Sequence, residues 1–333
     1  MTNPLTSLEI CAGAGGQALG LEQAGFEHLA LVEIDPHACA TLRFNRPSWN
    51  VLHQDVRDFH AAGFKGVDLF AGGVPCPPFS KAGHQLGEDD ERDLFPEALR
   101  LVEECLPRAV MLENVRGLFD PVFDDYRERI NLRLRSLGYA PSWRLLQASD
   151  FGVPQLRPRL IMVAVEDDAA PFFHWPLASG PYLPVGEALR DEMASNGWEG
   201  ADAWAEQAST VAPTLVGGSK KHGGPDLGPT RARKAWLALG VDGSTVAEAP
   251  PAAGFTGLPR LTVSMAARVQ GFPSDWRITG RKTAAYRQVG NAFPPPVARA
   301  VGEAIAAALR QSECPRELLR TTARTRIVEP AIA

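Results

Sequence analysis

A single cysteine stands among three prolines in the segment GGVPCPPFS, residues 72–80. The segment follows an apolar run, residues 67–71, that has the length of a β-strand. Proline fixes φ and removes a backbone donor, so the loop is stiff and holds the Cys76 thiol in one place. A structural cysteine rarely needs such a loop, whereas a nucleophile does. The segment therefore predicts a nucleophilic thiol.

A carboxyl group ends one further predicted strand, and two guanidinium groups lie at the start of another. Glu113 ends the run 109–112, and Arg157 and Arg159 occupy alternate positions in QLRPR, residues 155–159. Alternate residues of a strand face the same way, so both arginines are predicted to reach one site. Cations can lower a thiol pKa from its ordinary value of about 8.5. Alone, Glu113 also fits a buried structural carboxylate, and the arginines also fit a surface strand edge.

A glycine-rich turn joins a predicted strand to a predicted helix in SLEICAGAGG, residues 7–16. Glycines at such a turn allow a ligand to approach the backbone closely. Glu33 ends the next predicted strand and is placed to accept a ribose diol, and Asp55 follows the third and could accept an exocyclic amine. The pattern indicates a cofactor of the adenosine type, either a dinucleotide or S-adenosylmethionine. A tight turn with ordinary surface acids is the alternative.

Short apolar runs alternate with helical patterns through the first half of the chain. The predicted strands are 7–11, 29–34, 51–53, 67–71, 109–112, 143–146 and 160–165, and the predicted helices are 18–24, 37–45, 96–105, 126–137 and, near the end, 296–309. This alternation predicts an α/β fold with a parallel sheet covered on both faces. Its ligands should bind at the carboxyl ends of the strands.

Composition limits the cellular setting and the class of site. The chain has 333 residues, is 45% hydrophobic and carries a net charge of −5, so any nucleic-acid surface must be a local patch. Its five cysteines include no Cys-x-x-Cys pair, which predicts neither a disulfide framework nor a zinc site. The N-terminus lacks a signal-peptide pattern and no apolar run approaches a membrane span. These features predict a soluble, cytoplasmic protein without a bound metal.

Residues 171–259 are rich in Pro, Gly and Ala and lack clean periodicity. Within them, residues 217–234 carry five Lys or Arg against one Asp. Two interpretations fit the cluster equally well: a solvated loop, and a loop that contacts phosphates.

Taken in order, these motifs resemble those of bacterial cytosine-C5 DNA methyltransferases of the restriction-modification type. The resemblance covers nearly the whole chain. Further segments that match the family's motifs are Glu113-Asn-Val115 and residues 260–262, 270–273 and 287–291. It implies a Rossmann-like, S-adenosylmethionine-dependent methyltransferase sheet with a smaller, irregular target-recognition domain. The implied domains are a catalytic and cofactor-binding domain, 1–170, a target-recognition domain, 171–259, and a return to the catalytic domain, 260–333.

The resemblance also implies a mechanism and a set of site residues. Cys76 adds to C6 of a flipped cytosine, Glu113 protonates N3, and Arg159 and Arg157 orient the base. The residues implied to bind the cofactor are Cys11, Ala12, Gly13, Gly15, Gly16, Glu33, Ile34, Asp55, Val56, Pro75, Leu94, Asn291 and Ala292. Those implied to contact DNA are Ser80, Arg92, Thr214, Lys220, Lys221, Arg231 and Arg233. Cys11 departs from the family pattern, which has Phe there.

The implied partners are double-stranded DNA and a cognate restriction endonuclease acting on the same site, with the enzyme itself a monomer in the bacterial cytoplasm. Four other functions remain open: a nicotinamide dehydrogenase, an N-methyltransferase, a DNA-binding relative without activity, and a tRNA cytosine methyltransferase. The first leaves Cys76 and the arginine motif unexplained, and the second places Asp or Asn where Cys76 stands. Methyl-transfer assays on DNA and tRNA distinguish the last two.

Overall fold

A computed structural model of the chain describes residues 4–75, 93–217 and 224–313. Five residues predicted to act at the site lie outside the described residues: Cys76, Ser80, Arg92, Lys220 and Lys221.

Seven strands form one sheet in the order β3-β2-β1-β4-β5-β7-β6. The strands are β1 (Leu5–Ile10), β2 (Phe26–Glu33), β3 (Val51–His53), β4 (Leu69–Gly73), β5 (Ala109–Val115), β6 (Tyr139–Gln147) and β7 (Pro158–Glu166). All seven lie where the sequence predicts strands, and their bounds differ from the prediction by a few residues.

The predicted α/β fold is confirmed. The prediction of a parallel sheet is correct for five of the seven strands and wrong for β6 and β7, so the sheet is mixed. The first five strands in sheet order pair in parallel, whereas β7 is antiparallel to both β5 and β6. Only a short 3₁₀ turn, Ala148–Phe151, and a loop lie between β6 and β7, and a connection without a crossover α-helix joins antiparallel strands.

Ten α-helices accompany the sheet in the described ranges. They are α1 (Gly16–Gln23), α2 (Pro36–Asn45), α3 (Phe95–Cys105), α4 (Asp124–Ser136), α5 (Val185–Ala194), α6 (Ala201–Gln207), α7 (Thr230–Ala238), α8 (Val263–Val269), α9 (Lys282–Asn291) and α10 (Pro295–Ser312). No helix of the described ranges is long and apolar enough to cross a membrane.

Hydrophobic residues fill both faces of the sheet. One cluster packs α3 and α4 against side chains such as Leu8 and Phe70, and another packs α10 against side chains such as Leu69 and Met111. Helix α1 packs so closely on α10 that a Cβ on Gly20 would lie 2.5 Å from the Pro295 carbonyl oxygen. The strands whose carboxyl ends carry the predicted site residues are therefore fixed between two layers of packed helices.

The described part of the segment 171–259 contains three α-helices, α5, α6 and α7, where the sequence showed no clean periodicity. Their buried side chains, including Trp204 and Trp236, share one cluster with Met265 of α8 and Tyr286 of α9. The middle of the chain is thus packed against the helices that follow it.

Candidate active site at the carboxyl ends of the strands

A cavity of about 210 Å³ lies where β1, β2, β4 and β5 end, beside the N-terminus of α1 and the C-terminus of α9. Seven of the predicted cofactor residues line it: Cys11, Ala12, Gly13, Gly16, Glu33, Asn291 and Ala292. This position agrees with the rule that ligands of α/β sheets bind at the carboxyl ends of the strands.

The glycine-rich turn has the backbone that its composition predicts. Gly13 and Gly15 have φ of 55° and 84°, a left-handed conformation that favours glycine. A Cβ on Gly16 would lie 2.0 Å from the Phe293 carbonyl oxygen, so α1 begins against the segment that follows α9. The turn therefore needs glycine for conformation at two positions and for close packing at the third.

Glu33 is buried at the end of β2, and both carboxylate oxygens receive backbone N–H groups. Gly13 N donates to Oε2 and Asp35 N donates to Oε1, each at 2.7 Å. Burial raises the pKa of Glu33, and these N–H donors oppose the rise. Each oxygen has a second lone pair, so Glu33 can still accept hydrogen bonds from a ligand in the cavity.

The remaining predicted cofactor residues lie outside the cavity lining. Asp55 accepts from Arg57 N at 3.0 Å and caps a short 3₁₀ turn, Val56–Asp58. Leu94 N donates to the Pro75 carbonyl at 3.4 Å. Gly15 packs against Leu42, while Ile34 is exposed.

The cavity residues that the sequence analysis missed include Glu9 on β1 and Gln17 on α1. Both are buried, and none of their side-chain oxygen or nitrogen atoms has a hydrogen-bond partner among the described residues. Burial, reinforced by the neighbouring Glu33 carboxylate, raises the pKa of Glu9 well above its usual range. The available signal was a charged residue inside a predicted strand, because unpaired buried carboxyl groups are costly.

The central ion pair joins Glu113, near the end of β5, to Arg159 of β7. Arg159 Nε lies 2.6 Å from Glu113 Oε1, with side chains only 12% and 11% exposed. Arg159 stands opposite Val115 in the β5–β7 register, and Glu113 stands opposite Gly73 in the β4–β5 register. The carboxyl group therefore lies beside the end of β4, three residues before Cys76 in the chain.

Burial opposes the charged state of both partners. It raises the pKa of Glu113, against the lowering effect of Arg159, and it lowers the pKa of Arg159. The net direction at Glu113 favours a carboxyl group that holds a proton nearer to neutral pH than usual. Such a group can act as a general acid.

Asn114 ties the next loop to the sheet. Its Nδ2 donates to the Val74 carbonyl at 2.9 Å, and this interaction is buried. The Asn114 side chain thus fixes the chain two residues before Cys76.

Arg157 is fully buried and faces backbone carbonyl groups. Its guanidinium donates to Leu215 O at 2.8 Å, Gly290 O at 2.7 Å and Ala292 O at 3.1 Å. The alternate spacing predicted that both arginines reach one site, but the structure brings only Arg159 into hydrogen-bond contact with Glu113. Arg157 precedes the first residue of β7, so strand alternation does not fix its direction.

The three cysteines of the described ranges are poor nucleophiles. Burial raises the pKa of Cys39 to about 11 and that of Cys105 to about 12. Burial and the nearby carboxylates raise the pKa of Cys11 further. None of these three thiols would ionise appreciably near neutral pH.

The predicted DNA-contacting residues of the described ranges lie on a loop and on one helix. Thr214 is partly exposed and its hydroxyl donates to the Leu156 carbonyl. Arg231 and Arg233 are exposed in the first half of α7.

Comparison with known proteins agrees with these motifs. The family model described as C-5 cytosine-specific DNA methylase matches residues 5–307. The chain is 58% identical over 311 residues to the Type II methyltransferase M.NaeI of Lentzea aerocolonigenes, covering 92% of this chain and 75% of that protein. It is 56% identical over 310 residues to the Type II methyltransferase M.NgoMIV of Neisseria gonorrhoeae, covering 92% of this chain and 98% of that protein.

Solved structures show the same fold at low sequence identity. A DNMT2 mutant from Spodoptera frugiperda superposes with a TM-score of 0.64 at 17% identity, covering 91% of this chain and 99% of that one. Dnmt2 of S. pombe superposes with a TM-score of 0.61 at 20% identity, covering 93% and 99%.

Proposed function

The chain belongs to the C-5 cytosine-specific DNA methylase family, and we propose that it transfers the methyl group of S-adenosylmethionine to C5 of a cytosine flipped out of a specific duplex sequence. The observation that carries the proposal is the buried Glu113–Arg159 pair beside the end of β4. It supplies an acid and a cation next to the loop in which Cys76 stands.

The charges that line the cavity suit S-adenosylmethionine, which carries two positive groups, a sulfonium and an ammonium, and one negative group, its own carboxylate. Four carboxyl groups line it, Glu9, Glu33, Asp35 and Glu113, with the Arg287 guanidinium as the cation among them. Glu33 would hold the ribose diol, because its free lone pairs accept hydrogen bonds. Glu9 and Gln17 are buried without hydrogen-bond partners among the described residues and would meet the charged amino-acid end. When bound, the cofactor supplies an electrophilic methyl group.

The chain's own groups activate the cytosine. Glu113 donates a proton to N3, which makes C6 electrophilic, and Arg159 holds the carboxyl group in place and stabilises the addition. The Cys76 thiolate forms a bond to C6, which gives C5 the electron density to accept the methyl group. Loss of the C5 proton then restores the double bond and expels the thiolate.

Two observations support Cys76 in this role. The described cysteines have raised pKa values that suit inert thiols. The hydrogen bond from Asn114 to Val74 fixes the start of the proline-rich loop. A stiff loop suits the narrow trajectory of attack on a ring carbon.

Recognition of DNA is assigned to the segment 171–259, with Thr214, Arg231 and Arg233 among its contacts. Lys220 and Lys221 belong to the same basic stretch. Because the similar proteins M.NaeI and M.NgoMIV are Type II methyltransferases, we place this enzyme in a restriction-modification system. There it acts as a monomer in the bacterial cytoplasm and protects DNA from a cognate endonuclease.

Bisulfite sequencing of host DNA after expression identifies the methylated sequence. A duplex of that sequence with 5-fluorocytosine at the target then tests the mechanism, because fluorine cannot leave as a cation. We expect a denaturant-stable enzyme–DNA adduct that forms with S-adenosylmethionine and maps to Cys76.

Cys76→Ser should give no adduct, and Cys105→Ser is the matched control that should give a normal yield. Glu113→Gln should slow adduct formation without abolishing DNA binding. Methylation by Cys76→Ser at a near-normal rate would overturn the mechanism. Methylation of tRNA but not of DNA would overturn the substrate.

A further inference from the structure

Two distant segments of the chain touch backbone to backbone at Gly217 and Gly290. A Cβ on Gly290 would lie 2.3 Å from Gly217 N, and a Cβ on Gly217 would lie 2.6 Å from both Arg287 O and Asn291 Oδ1. Real Cβ atoms essentially never approach so closely. The loop 214–217 therefore lies directly on the last turn of α9.

Arg157 joins the same two segments. It donates to Leu215 O in the loop and to Gly290 O and Ala292 O at the end of α9. No carboxylate accepts a hydrogen bond from it among the described residues. The C-terminal end of a helix carries partial negative charge, so α9 and the carbonyl groups together stabilise the buried guanidinium.

Two buried glutamines complete the link. Gln155 Oε1 accepts from Leu215 N at 2.7 Å, and Gln155 Nε2 donates to Gln270 Oε1 at 2.7 Å. Gln270 in turn donates to Ala292 O. The loop and the end of α9 are thus cross-linked by three side chains, which we call the Arg157 network: Gln155, Arg157 and Gln270.

Each end of the network borders a different part of the proposed function. Asn291 and Ala292 line the cavity, whereas Thr214 is on the loop that leads into the basic stretch. We infer that the Arg157 network couples the two sites, so that cofactor in the cavity and DNA on the loop 214–217 strengthen each other's binding. Arg157 is then a positioning residue, and its fully buried guanidinium does not contact the flipped base.

The coupling rests on the proposed function and follows from linkage. A ligand that orders the end of α9 also orders the loop, because the two share the Gly217–Gly290 contact. By thermodynamic reciprocity, DNA raises the affinity for the cofactor by the same factor as the cofactor raises the affinity for DNA.

The test measures that factor by calorimetry with S-adenosylhomocysteine, alone and with a saturating duplex of the methylated sequence. We expect wild-type affinity for S-adenosylhomocysteine to rise on adding the duplex, by a factor within the usual range of about 5–150. Gly217→Ala forces loop and helix apart and should bring the factor to near 1. The control Gly63→Ala places a Cβ with no atom within 4 Å and should keep the wild-type factor.

Gln270→Met provides a second route if Gly217→Ala fails to fold, because it removes one link and keeps the side-chain volume. A merely structural role would weaken both ligands and leave the factor unchanged, and that result overturns the inference. A wild-type factor of 1 overturns it as well. If the wild-type protein binds no S-adenosylhomocysteine at all, the proposed function itself fails, which is a distinguishable outcome.

Discussion

Replacing Glu113 by Gln should destabilise the protein far more than breaking an exposed ion pair does. At 2.6 Å and an effective dielectric constant of about 20, the gross attraction between unit charges is about 6 kcal/mol. Desolvation offsets much of this, but removal of one partner leaves the other charge buried and typically costs about 3–5 kcal/mol. We expect Glu113→Gln to lower the free energy of unfolding by that amount, because Arg159 cannot give up its charge near neutral pH.

The partner variant Arg159→Met should cost less, and this asymmetry is the sharper test. Burial already raises the pKa of Glu113, so without Arg159 the carboxyl group can take a proton and become neutral. Its protonated form is favoured at low pH, so Arg159→Met should be milder at pH 6 than at pH 8. The control Glu22→Gln breaks the pair with Arg46, whose side chains are 33% and 34% exposed, and should cost about 0–1 kcal/mol.

Urea unfolding of all four proteins at both pH values measures these differences, provided that the slope with denaturant stays constant. The reasoning fails if Glu113→Gln is no more damaging than Glu22→Gln. It also fails if Arg159→Met costs as much as Glu113→Gln at pH 6.

Three further predictions concern the cofactor cavity and the basic stretch. Glu9 has a raised pKa in the fold, so its contribution to stability is full below its unfolded pKa of about 4.5 and is lost as pH rises. Glu9→Gln should therefore flatten the fall in the free energy of unfolding above that pH, by up to about 1.4 kcal/mol per pH unit. An unchanged slope against pH in urea unfolding would show that Glu9 titrates normally. Glu33→Ala should weaken S-adenosylmethionine binding by about 1–3 kcal/mol in calorimetry, and equal affinities would remove Glu33 from the ribose site. Replacing Lys220 and Lys221 by Ala should reduce the slope of DNA affinity against salt by roughly 1 for each phosphate that the two side chains neutralise, whereas identical slopes would place both lysines away from DNA.

The sequence predicted the elements of the sheet better than their directions. Apolar runs located all seven strands, because buried strands leave a strong local pattern. The pattern does not encode direction, which here depends on the hairpin between β6 and β7. In 171–259, α6 and α7 escaped prediction because each buries mainly one large side chain, Trp204 or Trp236. Helix α5 buries Val185, Leu189 and Met193 at a spacing of four residues, a helical signal that the sequence analysis overlooked.

At the site, strand periodicity and motif spacing correctly predicted the positions of residues that lie on the strands and on the glycine-rich turn. Glu113 and Arg159 lie on β5 and β7, and strand register brings them together. Arg157 stands outside β7, and its partners Leu215, Gly290 and Ala292 lie 58, 133 and 135 residues away. No local pattern carries such contacts.

Glu9 shows where a local signal was present but needed the fold to interpret it. A carboxyl group in the buried strand β1 must either pair, take a proton or face a ligand, because burying an isolated charge is prohibitive. The structure supplies no protein partner for Glu9 among the described residues and places it in the cavity wall with Gln17. Burial keeps Glu9 protonated more readily than a surface carboxyl, so an arriving cation would favour release of that proton. A charged residue in a buried strand that leads into a glycine-rich turn is therefore a candidate to contact a ligand bound at that turn.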